Sequence, residues 1–192
     1  MKNKKIILLC LALLYQGMAI AHNEFSQSGW FHPLSGIDHL LAMLAVGTWS
    51  AIIGGRAIYT VPAFFVIFMF IGSITGIMQL NVPYIEEGII ASVIFLGLAI
   101  SINKRFYIAI SYVFVGLFGF FHGYAHGYEI PVIEDLVFYI AGFVTTTVLL
   151  HITGVFYGLL LSKTKKGKLL LQISGVFISL TGIYLLYNFQ GT

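Results

Sequence analysis

Charge is what this chain has least of. Ten Lys and Arg and seven Asp and Glu make up 9% of its 192 residues, against about 25% in a soluble domain. A soluble fold that apolar would expose aggregating patches, so a water-soluble domain is excluded. Basic and aromatic residues do not interleave on a polar surface, which excludes a nucleic-acid partner. A single cysteine, Cys10, excludes an internal disulfide and a thiolate metal site. A phosphate-cradling glycine loop is absent as well, which excludes nucleotide hydrolysis at a site of that kind. Neither an internal repeat nor a low-complexity linker interrupts the sequence, which points to one compact unit.

Apolar residues fill the space instead. They are 59% of the chain, and the mean hydropathy is +0.96. The fold class expected is all-α, a polytopic membrane bundle. Residues 1–21 read as a secretory signal: Lys2, Lys4 and Lys5, a short apolar run from Ile6 to Leu14, then the small-x-small site Ala19-Ile20-Ala21. Cleavage there makes His22 the new N-terminus, whose amine and imidazole together can chelate a divalent metal. Residues 22–192 then form a single membrane domain. Six apolar runs of bilayer-crossing length follow, near 35–53, 58–78, 86–102, 106–124, 135–161 and 169–187.

The few charges sort by side. Loops after the first, third and fifth spans hold Arg56, then Lys104 and Arg105, then Lys163, Lys165, Lys166 and Lys168. The opposite side holds Glu24, Glu86, Glu87, Glu129, Glu134 and Asp135. Basic loops face the cytoplasm, which puts both mature termini on the outer side.

Polar residues inside the spans carry the functional signal. An ionisable residue at a helix centre costs roughly 2.5–3.5 kcal/mol on insertion scales. The first span opens with His32-Pro33-Leu34-Ser35-Gly36-Ile37-Asp38-His39-Leu40-Leu41-Ala42-Met43. Pro33 suits a first helical turn, and His39 and Met43 share a face at i and i+4. His32 lies seven residues before His39, about 10 Å along a continuous helix, which suits a separate station on a path. Asp38 is either a ligand or the partner that orients a ring. A histidine near a helix start is commonly just a hydrogen-bonded cap. Four such groups within twelve residues of an apolar span favour a site.

The fourth span ends in Gly119-Phe120-Phe121-His122-Gly123-Tyr124-Ala125-His126-Gly127-Tyr128-Glu129. His122 and His126 have the spacing by which one helix face gives two imidazoles to one metal, and Glu129 stays near that face. Gly119, Gly123 and Gly127 form a stripe that admits a close neighbour, expected to be the first span. Gly72 with Gly76, and Gly154 with Gly158, are similar signals. His151 on the fifth span is a candidate ligand or proton carrier, and Thr145 to Thr147 read as structural because hydroxyls commonly bond their own helix. Glu86 and Glu87, just after Pro83, are either solvated interface acids or collectors of cations.

Composition and spacing alone reach a multi-span protein with metal-ligand clusters inside the membrane. The two motifs together resemble those of the HupE/UreJ family of bacterial nickel and cobalt permeases. His-Pro-x-x-Gly-x-Asp-His-x-x-Ala-Met is complete from His32 to Met43 and is followed by Val46-Gly47. The second motif is similar to Phe121-His122-Gly123-x-Ala125-His126-Gly127-x-Glu129, and the family's Pro-x-x-Glu to Pro83 through Glu86. The resemblance implies a bacterial inner-membrane secondary permease for Ni²⁺ or Co²⁺, with no prosthetic group and no enzyme activity. Its partners are the ion and the bilayer, and homo-oligomerisation is left open. The expected route gathers the ion at Glu86, Glu129 and His22. It then passes His32 and a site of Asp38, His39, His122 and His126, with Met43 and His151 as further candidates. Two other readings stand beside it. A metal-dependent hydrolase lacks the Glu that should directly follow His122. A non-transporting metal- or haem-binding accessory protein would bind without flux.

Overall fold

The computed structural model describes residues 29–129 and 136–189. The expected signal segment and His22 lie outside the described residues. Seven helices are described: α1 (His32–Ser35), α2 (Ile37–Ile53), α3 (Ala57–Ile77), α4 (Ile85–Ile102), α5 (Ile108–Tyr128), α6 (Leu136–Leu161) and α7 (Lys165–Phe189). The all-α membrane bundle expected from composition is what the chain forms. Helices α3 to α7 are long and apolar enough to cross a bilayer, whereas α2, at 17 residues, is shorter.

The short helix is the central one. Every residue from Ala45 to Ile53 is buried, so this stretch is enclosed on all sides, and a helix apolar all round belongs in such a place. It touches each of the other five long helices. Trp49 anchors it, edge-on to Phe95 and Phe106 at centroid distances of 5.8 and 5.7 Å.

Around α2 the helices associate as three close pairs, α3 with α5, α4 with α7, and α2 with α6. Each pair is a glycine contact. Gly72 and Gly76 of α3 lie against the backbone of Phe120 and Tyr124, and Gly119, Gly123 and Gly127 of α5 lie against Phe65, Met69 and Ser73. Rising numbers meet rising numbers, so α3 and α5 run parallel. Gly154 against Leu44 and Gly158 against Ala51 make α2 and α6 parallel too, whereas Gly97 against Ser179 and Gly182 against Ile94 make α4 and α7 antiparallel. These directions are the ones a chain has when it alternates across the bundle at every span. The stripe on α5 therefore joins it to the second span, not to the first as expected. Spacing reveals that a neighbour comes close without saying which one.

Two span ends also differ from expectation. Helix α5 continues to Tyr128, which takes His126 inside the helix, and α7 starts at Lys165, with Lys165, Lys166 and Lys168 in its opening turn. Charged residues lower a hydropathy average without breaking a helix. Pro62 sits inside α3, where its missing N–H frees the carbonyl four residues earlier. The Ser50 hydroxyl of α2, which donates to the Gly47 carbonyl at 2.7 Å, lies 3.4 Å from that Ile58 oxygen. Arg56, Lys104, Arg105 and Lys163 fall in or beside the turns at one end of the bundle. Glu86 and Glu87 open α4, and Glu129 caps α5, at the other.

Candidate metal site

The first motif does not form one helix. Pro33 is in the opening turn of α1, but Gly36 is extended (φ −92°, ψ 123°) and separates α1 from α2. The expected register of His32 with His39 along a common axis is thereby overturned: His32 belongs to α1. The break frees the start of α2 for Asp38, a favourable place for a carboxylate at a helix N-terminus. Asp38 Oδ1 accepts the His39 backbone N–H at 2.8 Å and its Nδ1–H at 2.9 Å. Neighbours in a helix ordinarily diverge by about 100°; here the carboxylate turns back over the helix end. Gly36 leaves it that space, since a Cβ there would lie 2.6 Å from Asp38 Oδ1. A carboxylate can only accept, so the His39 proton is on Nδ1. Nε2 is then buried with its lone pair free, with no hydrogen-bond partner among the described residues. A carboxylate behind an imidazole is the usual support of a metal-binding histidine, so Asp38 orients His39 here.

Helix α5 brings the other two imidazoles. His39 lies edge-on to His122 at 4.6 Å and to His126 at 4.3 Å between ring centroids. The first and fourth spans thus meet through their imidazoles, although the glycine stripe faces elsewhere. His122 is fully buried and His126 nearly so. His126 also packs on Phe143 of α6 at 4.2 Å. His122 Nε2 is 2.8 Å from the Ser92 hydroxyl of α4. The rings pack edge to face, and among the described residues no three His, Cys, Asp or Glu side chains are arranged to hold one ion in this conformation.

The remaining candidates fall into place around this cluster. Glu86 and Glu129 line one cavity of about 400 Å³ at the acidic end, together with Gln79, Asn81, Tyr124 and Tyr128. Ala125, next to His126 in the chain, forms part of its wall. Tyr124 shapes the rim by donating its hydroxyl to the Leu80 carbonyl at 2.6 Å. Met43 is fully buried within the apolar core. His151 is buried on α6 and stays apart from the three-ring cluster; Phe65 is in ring contact with both His151 and His122, at 5.3 and 5.8 Å.

Sequence reading missed Ser92. Serines in these spans are ordinary, and Ser73 and Ser101 simply bond carbonyls of their own helices. Only the placement of α4 against α5 singles this one out.

The family model described as HupE / UreJ protein matches residues 9–185. The chain belongs to the HupE/UreJ family. It is similar to "Protein HupE" of Rhizobium leguminosarum bv. viciae, with 37% identity over 191 residues, 97% of this chain and 99% of that one. No solved structure matches it. Family membership and the helical bundle support a multi-pass membrane protein of the nickel and cobalt transporter type. Both family motifs lie in the matched region, and in this chain they supply the three clustered rings.

Proposed function

We propose that the chain is a bacterial inner-membrane secondary permease importing Ni²⁺ or Co²⁺, with both mature termini in the periplasm and no enzyme activity. One observation carries this reading: three imidazoles from two helices in ring contact inside an apolar bundle, with a cavity that two carboxylates share. Glu86 and Glu129 gather the cation, and the expected amine and imidazole of His22 assist where the signal is removed. The ion then exchanges carboxylate and water for imidazole. Imidazole suits Ni, Co, Zn and Cu, and affinity alone would favour copper, so selection rests on geometry and metal supply. Binding must also be weak enough for release. The drive is the membrane potential, a proton gradient or a separate partner; a divalent ion moving inward gains about 4.6 kcal/mol per 100 mV, twice the single-charge value.

The test is radiometal uptake into proteoliposomes, with Ni²⁺, Co²⁺ and Zn²⁺ compared. His39→Ala and His126→Ala should each remove most uptake, and the double variant should be little worse, because groups serving one ion are not additive. Losses that multiply in correctly inserted protein would mean two separate sites. Metal binding without flux would favour the accessory-protein reading instead.

A further inference from the structure

The permease reading leaves open which nitrogen of each imidazole meets the ion. For His39 the Asp38 carboxylate decides it. For His122 the deciding group is on another helix. The Ser92 hydroxyl lies 2.6 Å from the Ile89 carbonyl of α4 and 2.8 Å from His122 Nε2. A hydroxyl has one hydrogen. A carbonyl can only accept, so that hydrogen goes to Ile89, and the serine oxygen is left to accept. His122 Nε2 must then donate, which makes Nδ1 the unprotonated nitrogen. Nδ1 is buried and has no hydrogen-bond partner among the described residues. Ser92 and His122 are each fully buried, so water does not scramble this order.

We propose that Ser92 is a positioning residue of the metal site: with the Ile89 carbonyl behind it, it holds His122 in the Nε2–H form and presents Nδ1 to the ion. His39 and His122 are thereby held in opposite tautomers, Nε2 free in one and Nδ1 free in the other. The two supports differ in kind. A carboxylate enriches the electron density of His39, whereas a neutral hydroxyl relay leaves His122 the weaker donor. Such a pair suits a site that must both take and release its cargo. In Ser92→Ala the relay is gone and nothing fixes the tautomer. Without its acceptor, the ring loses its reason to keep the proton on Nε2.

The inference rests on the permease reading for its ligand and not for its chemistry, and the experiment separates the two. Full-length chain with ¹⁵N-labelled histidine, in lipid nanodiscs without metal, should show a neutral His122 with the proton on Nε2, and Ser92→Ala should shift that population toward Nδ1–H. Equilibrium binding of ⁶³Ni²⁺ should weaken by about 10–100-fold in Ser92→Ala, the usual effect of removing a group behind a metal-binding histidine. Its melting temperature should stay near that of the parent. A wild-type His122 found with its proton on Nδ1 overturns the inference whether or not the protein carries metal, and so does undiminished Ni²⁺ affinity in Ser92→Ala. The inferred tautomer in a wild-type chain that neither binds nor carries Ni²⁺ or Co²⁺ would refute the permease reading alone. The wild-type spectrum decides the point even if Ser92→Ala does not insert.

Discussion

Gly123→Ala should damage the proposed metal site through a helix contact that contains no proposed ligand. Gly123 lies between His122 and His126 on α5, facing α3. A methyl group there would overlap the Met69 carbonyl oxygen and stand 2.6 Å from its carbon and 2.7 Å from Met69 Cα. Backbone in mid-helix cannot turn aside as a flexible side chain can. Ordinary contact needs about 3.5–4.0 Å between carbons, so α3 and α5 must part by roughly 1 Å. Overpacking of this kind typically costs about 1–3 kcal/mol. The displaced helix carries both imidazoles, which now lie 4.6 and 4.3 Å from the His39 ring. A ligand shift of roughly 1 Å takes a site well outside the ~0.5 Å tolerance of a preorganised constellation. Ni²⁺ affinity should fall at least as far as stability does. The control is Gly116→Ala on the same helix, where the added methyl meets only side chains, Phe64 at 3.4 Å and Phe68 at 3.5 Å. Purified variants in nanodiscs would be compared by thermal melting and by equilibrium Ni²⁺ binding. Equal effects of the two substitutions, or a Gly123→Ala protein that binds like the parent, would refute the claim that this seam positions the imidazoles.

The outer acids and the topology give further expectations. Glu86→Gln should raise the metal concentration needed for uptake while leaving the maximal rate and the amount of inserted protein close to normal; abundance falling in step with uptake would assign Glu86 to the fold. Asp38→Asn keeps an acceptor for His39 Nδ1–H but removes the charge, which about halves such a bond, so Ni²⁺ affinity should fall less than in Asp38→Ala. A reporter fused after Thr192 should be active in the periplasm, and cytoplasmic activity would remove one span from the count.

The sequence by itself was enough for the helical membrane class and for setting the described basic turns and the acids Glu86, Glu87 and Glu129 at opposite ends of the bundle. Hydrocarbon excludes unpaired backbone, so length and apolarity translate directly into helices. It was also enough to bring His39, Asp38, His122 and His126 forward as candidates, since an ionisable group in an apolar span is costly. Local spacing could not decide how helices meet. The glycine stripe of α5 promised a close neighbour, and tertiary structure made it α3, with α2 reaching the imidazoles from another side. The break at Gly36 took His32 out of register, because an extended residue between two helical runs has no signature in side-chain periodicity. Asp38 and Ser92 acquired their roles from contact. The carboxylate folds over the end of α2 onto its neighbour, and the hydroxyl of α4 reaches α5 across thirty residues of chain. Residue types set what chemistry is available; which nitrogen of each ring is free follows from hydrogen bonds that exist only once the helices have packed.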